Sequence, residues 1–374
     1  MKILHIADLH LDSAFSGFDK DTADQKREAL RNCFCKALRV AKERDVSLVL
    51  IPGDLFDTPY CTLTTRKKVF EAIEDFARPV VIAPGNHDYY TKNGTYTDRS
   101  LPENAFVFTS NELGRFDFDE LGVSVIGYAF TSDRYERSPL DEQPPLSDTN
   151  INILCAHGEL CTGFSRYAAM TPSQIAEKGF TYAALGHVHI APEPQKLDHS
   201  LIAYSGFPQG RSFDETGEGG AYIVDIDTET REVMLERITL SELVYKIDRL
   251  DVTNASSNED VIEAIDRHAR DKGYSGNVAL RIVLEGSVDA AYTVNSGAIE
   301  AASELSYLAL LQVRNKTVAT LGLEHLERDM TIRGEIYRSL LPMLRSTDPQ
   351  DREKASLALK FALNALDKRE LGVD

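Results

Sequence analysis

One piece of syntax recurs five times along this chain: a short apolar run, then a small residue, then side chains able to hold a metal. Lys2–Ala7 leads into Asp8-Leu9-His10, and Ser47–Ile51 into Gly53-Asp54-Leu55-Phe56-Asp57. Pro79–Ala83 leads into Gly85-Asn86-His87-Asp88, Ile151–Ala156 into His157-Gly158, and Tyr182–Leu185 into Gly186-His187-Val188-His189. A short, wholly apolar run such as Ser47–Ile51 is the mark of a strand buried on both faces of a sheet. Between the first three runs, Asp21–Arg44 and Leu63–Phe76 carry helical spacing, so the opening rhythm is β-α-β-α-β and demands a layered α/β domain. Open sheets of that kind gather ligands beyond the carboxyl ends of their strands. All five segments stand there.

Further strands are expected at Phe106–Thr109, Val123–Tyr128, Leu201–Tyr204, Ala221–Ile226 and Glu232–Leu240, with one more helix at Pro172–Lys178. The expected fold for residues 1–240 is therefore α/β, a four-layer αββα sandwich of two mixed sheets. Character changes near Leu240. Residues 241–318 read as a smaller α+β domain: strand Val244–Val252, helix Asn258–Lys272, strand Val278–Leu284, helix Ala298–Glu304, strand Ser306–Val313. Residues 319–374 read as a helical C-terminal segment that restarts at Asp348-Pro349, where proline suits a first turn. Its last helix is apolar on more than one face and has to be buried against something.

Asp, His and Asn are ligands for Mn²⁺, Fe or Zn²⁺ in a reactive site, not the thiolates of a structural zinc site. Five of the nine histidines fall within the five segments. His5, His199, His268 and His325 have no such setting and are expected to be structural or surface residues. The five cysteines show no CxxC and read as reduced thiols, so a cytoplasmic chain is expected. No stretch approaches the roughly 20 apolar residues of a membrane span. Net charge is −18, with 24 Lys and Arg against 37 Asp and Glu in residues 1–240. That excess weighs against a tight, free-standing DNA binder, although two divalent cations would offset four charges where it is concentrated.

Together the segments resemble the calcineurin-like metallophosphoesterases, whose pattern is D-x-H, G-D-x-x-D, G-N-H-D/E, H and G-H-x-H. The resemblance implies one ion held by Asp8, His10, Asp54 and His189, and a second by Asp54, Asn86, His157 and His187. It implies His87 as general acid with Asp88 orienting it, and Asp57 supporting Asp54 or His10. A hydroxide bridging the two ions would attack the phosphate in line, its pKa lowered by coordination. The second segment lacks the Arg of protein phosphatases and the third ends in Asp88, which disfavours a phosphoprotein substrate.

Ala7–Ser13, Gly53–Asp57 and the run Gly206–Gly220 look like the DNA-repair nucleases of the SbcD group, particularly their bacterial YhaO branch. That likeness implies Mn²⁺, DNA as substrate in double-strand-break processing, a capping role for 241–318 and docking of the helical tail on a coiled-coil ABC/SMC-type ATPase. A tail packed on a second copy in a homodimer is the other reading. Arg211 is a candidate phosphate contact. Tyr89 and Tyr90 could stack on bases, with packing the plainer reading. A nucleotide or small-molecule phosphodiesterase of the same superfamily is the alternative function. A non-catalytic scaffold would have lost ligands, and none is lost here.

Overall fold

The strands that carry the five segments are neighbours within two sheets, three in the first and two in the second. In the computed structural model, which describes residues 1–289, 292–320 and 326–366, β1 (Lys2–His5), β2 (Leu48–Ile51), β3 (Val80–Ile82) and β4 (Ala105–Val107) run parallel. β11 (Gly220–Ile226) and β12 (Val233–Thr239) join antiparallel on the far side of β1, giving the order β12-β11-β1-β2-β3-β4. A second six-stranded sheet has the order β5-β6-β7-β8-β10-β9. Its strands are β5 (Gly114–Phe118), β6 (Val123–Gly127), β7 (Ile151–His157), β8 (Tyr182–Gly186), β9 (Gln195–Leu197) and β10 (Ser200–Tyr204). The centre of this sheet, β6-β7-β8-β10, is parallel, and both edges are antiparallel.

Alternation along each strand sorts side chains into two layers of core. Ile3, Leu48, Leu50 and Val81 face the second sheet and meet Val125, Ile153, Cys155 and Tyr182. Leu4, Val49, Ile51 and Val80 face the other way, onto α1 (Lys20–Glu43) and α2 (Leu63–Phe76), through Leu30, Phe34, Leu38, Val69 and Ile73. The outer face of the second sheet is covered around Ile175 of α3 (Pro172–Glu177). The layers are thus helix, sheet, sheet, helix, as expected. The sequence reading passed over β5 and β9. Both are antiparallel edge strands in which polar residues hold the solvent side, so neither shows an apolar run.

The chain divides into two compact units. The first comprises Met1–Ile247 with Gly276–Leu280 and Leu308–Leu310, and the second Asp248–Ser275, Arg281–Tyr307 and the described residues from Leu311 on. The later strands β13 (Val244–Asp251), β14 (Val278–Glu285) and β16 (Leu310–Asn315) form a three-stranded sheet, and β15 (Ser287–Asp289) pairs with β17 (Val318–Thr320). Within the second unit, Val261 and Ile265 of α4 (Asn258–Asp271) pack with Ile282, Leu284 and Val313. The helix expected at 298–304 lies instead at α5 (Ser296–Glu300), capped by the Asn295 side chain, and the last strand begins at Leu310, not Ser306.

α6 (Ile332–Leu344) and α7 (Pro349–Leu366) close the described chain, and Leu359 and Leu363 pack with Tyr337 and Leu326. Within the described residues one face of this last helix is buried, while Leu357 is 51% and Leu366 39% exposed. His325 lies outside the described residues. All five cysteines are free, and no helix among the described residues is long and apolar enough to cross a membrane.

Candidate metal centre

Five strand ends deliver the candidate ligands. Asp8 and His10 follow β1, Asp54 follows β2, Asn86 and His87 follow β3, His157 ends β7, and His187 and His189 follow β8. The first two loops are stitched together, Asp8 N–H donating to Gly53 C=O at 3.2 Å and His10 N–H to Asp54 C=O at 2.9 Å. Asp8, His10, Asp54 and His187 all adopt positive φ, at 55°, 46°, 51° and 106°. Side chains rarely sit there, and such strain collects at functional sites. Gly53 itself has φ of 89°, and a Cβ on it would collide with the His157 ring, so only glycine lets β2 turn so close to β7.

The ligand atoms converge. Asp8, His10 and His189 offer atoms within 4.8 Å of one another, as do Asp8, Asp54 and His157, and as do His10, Asp54 and His87. One Asp54 oxygen stands 3.5 Å from both His10 Nε2 and His157 Nε2, between the two groups. Asn86 Oδ1 lies 2.9 Å from His157 Nε2. His187 is brought in by its backbone N–H, which donates to Asp8, and by its ring, whose centroid is 5.1 Å from that of His157. The Tyr167 ring also lies against the His187 ring, at 4.6 Å between centroids.

Three histidines have an acceptor behind them. His10 Nδ1 faces Asp57 Oδ1 at 3.1 Å, His157 Nδ1 faces Pro52 C=O at 3.0 Å, and His189 Nδ1 faces Glu215 Oε1 at 2.8 Å. Acceptors in those places fix the proton on Nδ1 and turn each Nε2 lone pair inward, as metal-binding histidines require. His10 Nε2 and His189 Nε2 are then only 3.1 Å apart. Two lone pairs that close repel unless positive charge sits beside them. The donor set therefore fits cations.

Electrostatics agree. Burial pushes the Asp8 carboxyl up to about 6 against the pull of His157 and His189. Burial would also raise Asp54, but His157, His10 and His87 outweigh it and hold it below the usual range. Burial lowers His10, and takes His187 down to about 3. The pocket thus favours neutral imidazoles at His10 and His187 beside an ionised Asp54, the state a cation needs of those three.

The structure corrects one expectation and adds one residue. Asp88 does not orient His87. It is fully buried, and its carboxylate accepts the backbone N–H groups of Gly85 at 2.7 Å, Leu55 at 2.9 Å, and Asp54 and Phe56 at 3.2 Å, together with the Tyr96 hydroxyl. It clamps the Asp54 and Asn86 loops to each other. The neighbour of His87 is Asp57, whose C=O lies 3.3 Å and Oδ1 3.8 Å from His87 Nδ1. Asp57 supports His10, as expected.

Glu215 was missed. Burial would raise it, but hydrogen bonds from His189 and Arg211 hold it down at about 2. Its one signal in the sequence is its place in the run Gly206–Gly220, whose likeness to the SbcD group assigns it no role. Arg211 pairs with Glu215, reaches Asp57 at 3.5 Å and donates to Ser13 Oγ at 3.2 Å, so its guanidinium links the two carboxylates behind His10 and His189. Tyr89 and Tyr90 are half-buried against the cores. His5 is buried, His268 pairs with Asp248 at 2.8 Å, and His199 is exposed.

The family model described as calcineurin-like phosphoesterase matches residues 1–191. The chain is 26% identical over 299 residues to the uncharacterized metallophosphoesterase YhaO of Bacillus subtilis, covering 77% of this chain and 72% of that one. It is 23% identical over 313 residues to the DNA double-strand break repair protein Mre11 of Saccharolobus solfataricus, covering 76% and 75%. A dimetal phosphatase from Danio rerio superposes with a TM-score of 0.41 at 10% identity, over 64% of this chain and 96% of that chain.

Proposed function

This chain belongs to the calcineurin-like phosphoesterases, and on that premise we propose that it is a two-metal phosphodiesterase acting on DNA, an exonuclease or endonuclease of break processing. The observation that carries the metal reading is the facing pair of His10 and His189 Nε2 atoms, with Asp54 placed between His10 and His157. Asp8, His10, Asp54 and His189 would hold one divalent ion, and Asp54, Asn86, His157 and His187 the other, with Mn²⁺ the expected metal. When bound, such a pair supplies electrophilic stabilisation of phosphate oxygens and activation of a water nucleophile.

The remaining chemistry falls to the chain's own groups. His87 is the one histidine of the centre with a substantially exposed side chain, at 46%, and its ring centroid stands 4.6 Å from that of His10. Asp57 engages its Nδ1, leaving Nε2 to hand a proton to the departing alkoxide. Asp88 fixes the loops that present Asp54 and Asn86, and Asp57, Glu215 and Arg211 hold the rings of His10 and His189.

Support for DNA is the likeness to a break-repair protein over three quarters of both chains. The net charge of −18 favours the second reading, a nucleotide or small-molecule phosphodiesterase. For partners we propose a coiled-coil ATPase subunit, with a second copy of this chain as the competing occupant. The exposed apolar residues Ile332, Met343 and Leu357 of α6 and α7 support a docking role.

The deciding experiment is digestion of end-labelled single- and double-stranded DNA by Mn²⁺-reconstituted protein, run beside bis-p-nitrophenyl phosphate and an Asn86→Ala control. Hydrolysis of the small diester with intact DNA would leave the second reading. His87→Ala should keep its metal content and lose roughly 10²–10⁴ in kcat. An unimpaired variant would remove His87 from the acid role.

A further inference from the structure

The segments that follow the second and third motifs together line a cavity of about 550 Å³ whose walls include Tyr60, Arg66, Lys92, Asn93, Asp98 and Arg99. We propose that it is a subsite for one strand of nucleic acid, holding the phosphates and a base that flank the scissile position. The proposal rests on the DNA reading above and adds to it where the strand runs.

Position is the first argument. Tyr60 follows Asp57 by three residues and Lys92 follows His87 by five, so their Cα atoms can be no more than about 11 Å and 18 Å from those residues. The cavity is within a few nucleotides' length of the centre. Its walls are also built, not incidental. The Thr95 hydroxyl donates to Pro59 C=O at 2.9 Å and accepts from Cys61 N–H at 3.0 Å, tying the segment after the second motif to the segment after the third. Tyr96 donates to Asp88, the residue that clamps the ligand loops, and both Thr95 and Tyr96 are buried. A strand seated here would be in fixed register with the metals.

Charge is the second argument. Three cations line the cavity against one carboxylate, in a chain that carries −18 overall. Arg66 pairs with Asp98, but Lys92 and Arg99 are exposed and have no acidic partner among the described residues. Tyr60 is 62% exposed, with its ring available to a base. Unpaired cations beside an exposed aromatic ring match the backbone and the π-face of a strand. An acidic peptide would use the cations and leave the ring idle.

The test is fluorescence anisotropy of a labelled single-stranded oligonucleotide with the full-length protein in EDTA, titrated over a range of salt. Lys92→Ala/Arg99→Ala should lower the slope of log K against log[salt] by about 1.4, two phosphate contacts on a single strand. Lys92→Arg/Arg99→Lys should retain it. Tyr60→Ala should weaken binding about fivefold or more and leave the slope unchanged. An unaltered slope in the double alanine variant, with its melting temperature intact, overturns the subsite. So does displacement of the oligonucleotide by an equal concentration of free mononucleotide, which would make the cavity a nucleotide site. Digestion of the same oligonucleotide with Mn²⁺ separates the two readings. Binding with these signatures but no cleavage keeps the subsite and defeats the nuclease assignment, and cleavage without them does the reverse.

Discussion

A histidine becomes a good ligand through what stands behind it, and that is where sequence and structure part company. The ligand candidates are legible because each sits one to four residues past an apolar strand, within a single local motif. Their supports are not local. Glu215 lies 26 residues beyond His189, and Asp57 lies 47 beyond His10. Nothing in spacing says that a glutamate in a glycine-rich loop will turn back onto an imidazole. Asp88 failed for the mirror reason: adjacency to His87 suggested a pair, but consecutive residues point apart, and a buried carboxylate found five donors elsewhere. Burial would lower His189, yet its hydrogen bond to Glu215 and the charge of Asp8 raise it, so Glu215 makes that ring more basic and a better ligand. Glu215→Ala should weaken binding of the first Mn²⁺ equivalent by about 10- to 100-fold in titration calorimetry, and Glu215→Gln by less, because an amide oxygen still accepts from Nδ1. Equal affinity in all three proteins would reduce Glu215 to packing.

Elements whose cores are apolar on both faces announced themselves, and elements at edges did not. β1, β2 and β7 are buried along nearly their whole length, whereas β5 alternates half-buried and exposed positions. β1 also carries a polar residue in its buried run. His5 is fully buried, with Nε2 3.1 Å from Leu185 C=O and Nδ1 2.8 Å from the Tyr182 hydroxyl. Nε2–H therefore donates to the carbonyl and the hydroxyl donates to Nδ1, an arrangement only the neutral ring allows. Burial takes its pKa from 6.5 down to about 3, with the Leu185 bond opposing and Arg237 assisting. Between those values the unfolded chain binds a proton at this residue that the folded chain refuses. Stability is thus whole above pH 6.5 and falls as pH drops toward 3. Between pH 7 and pH 5 this one group should cost about 2 kcal/mol. Urea unfolding at both pH values should show that loss in the wild type and not in His5→Gln, where the remaining histidines are common to both. Parallel losses in the two proteins would assign the acid sensitivity elsewhere.

For the molecule as a whole, the change of character near Leu240 is visible in the sequence as the end of the last strand expected for the motif-bearing part, but the first compact unit continues to Ile247. The reason is Tyr245, a single aromatic in an otherwise alternating strand. Its ring is 1% exposed and meets Phe213 edge-on at 5.1 Å, and its hydroxyl donates to Arg211 C=O at 3.1 Å. Its own carbonyl accepts from Gly217 N–H at 3.0 Å, and Lys26 lies over the ring at 5.3 Å. Tyr245 therefore pins both ends of the loop that carries Glu215, and through Glu215 it bears on His189. A chain ended at Leu240 keeps every candidate ligand and loses this pin. It should melt lower than the full chain and bind Mn²⁺ more weakly, and Tyr245→Ala in the full chain should reproduce the defect at about 3 kcal/mol. Tyr245→Phe keeps the ring and loses only the hydroxyl's bonds, so it should retain most of the stability while loosening the Arg211 end. If the shortened chain and Tyr245→Ala both bound metal as the intact protein does, support for the Glu215 loop would have to come from within residues 1–240, and the motif-bearing segment would be self-sufficient.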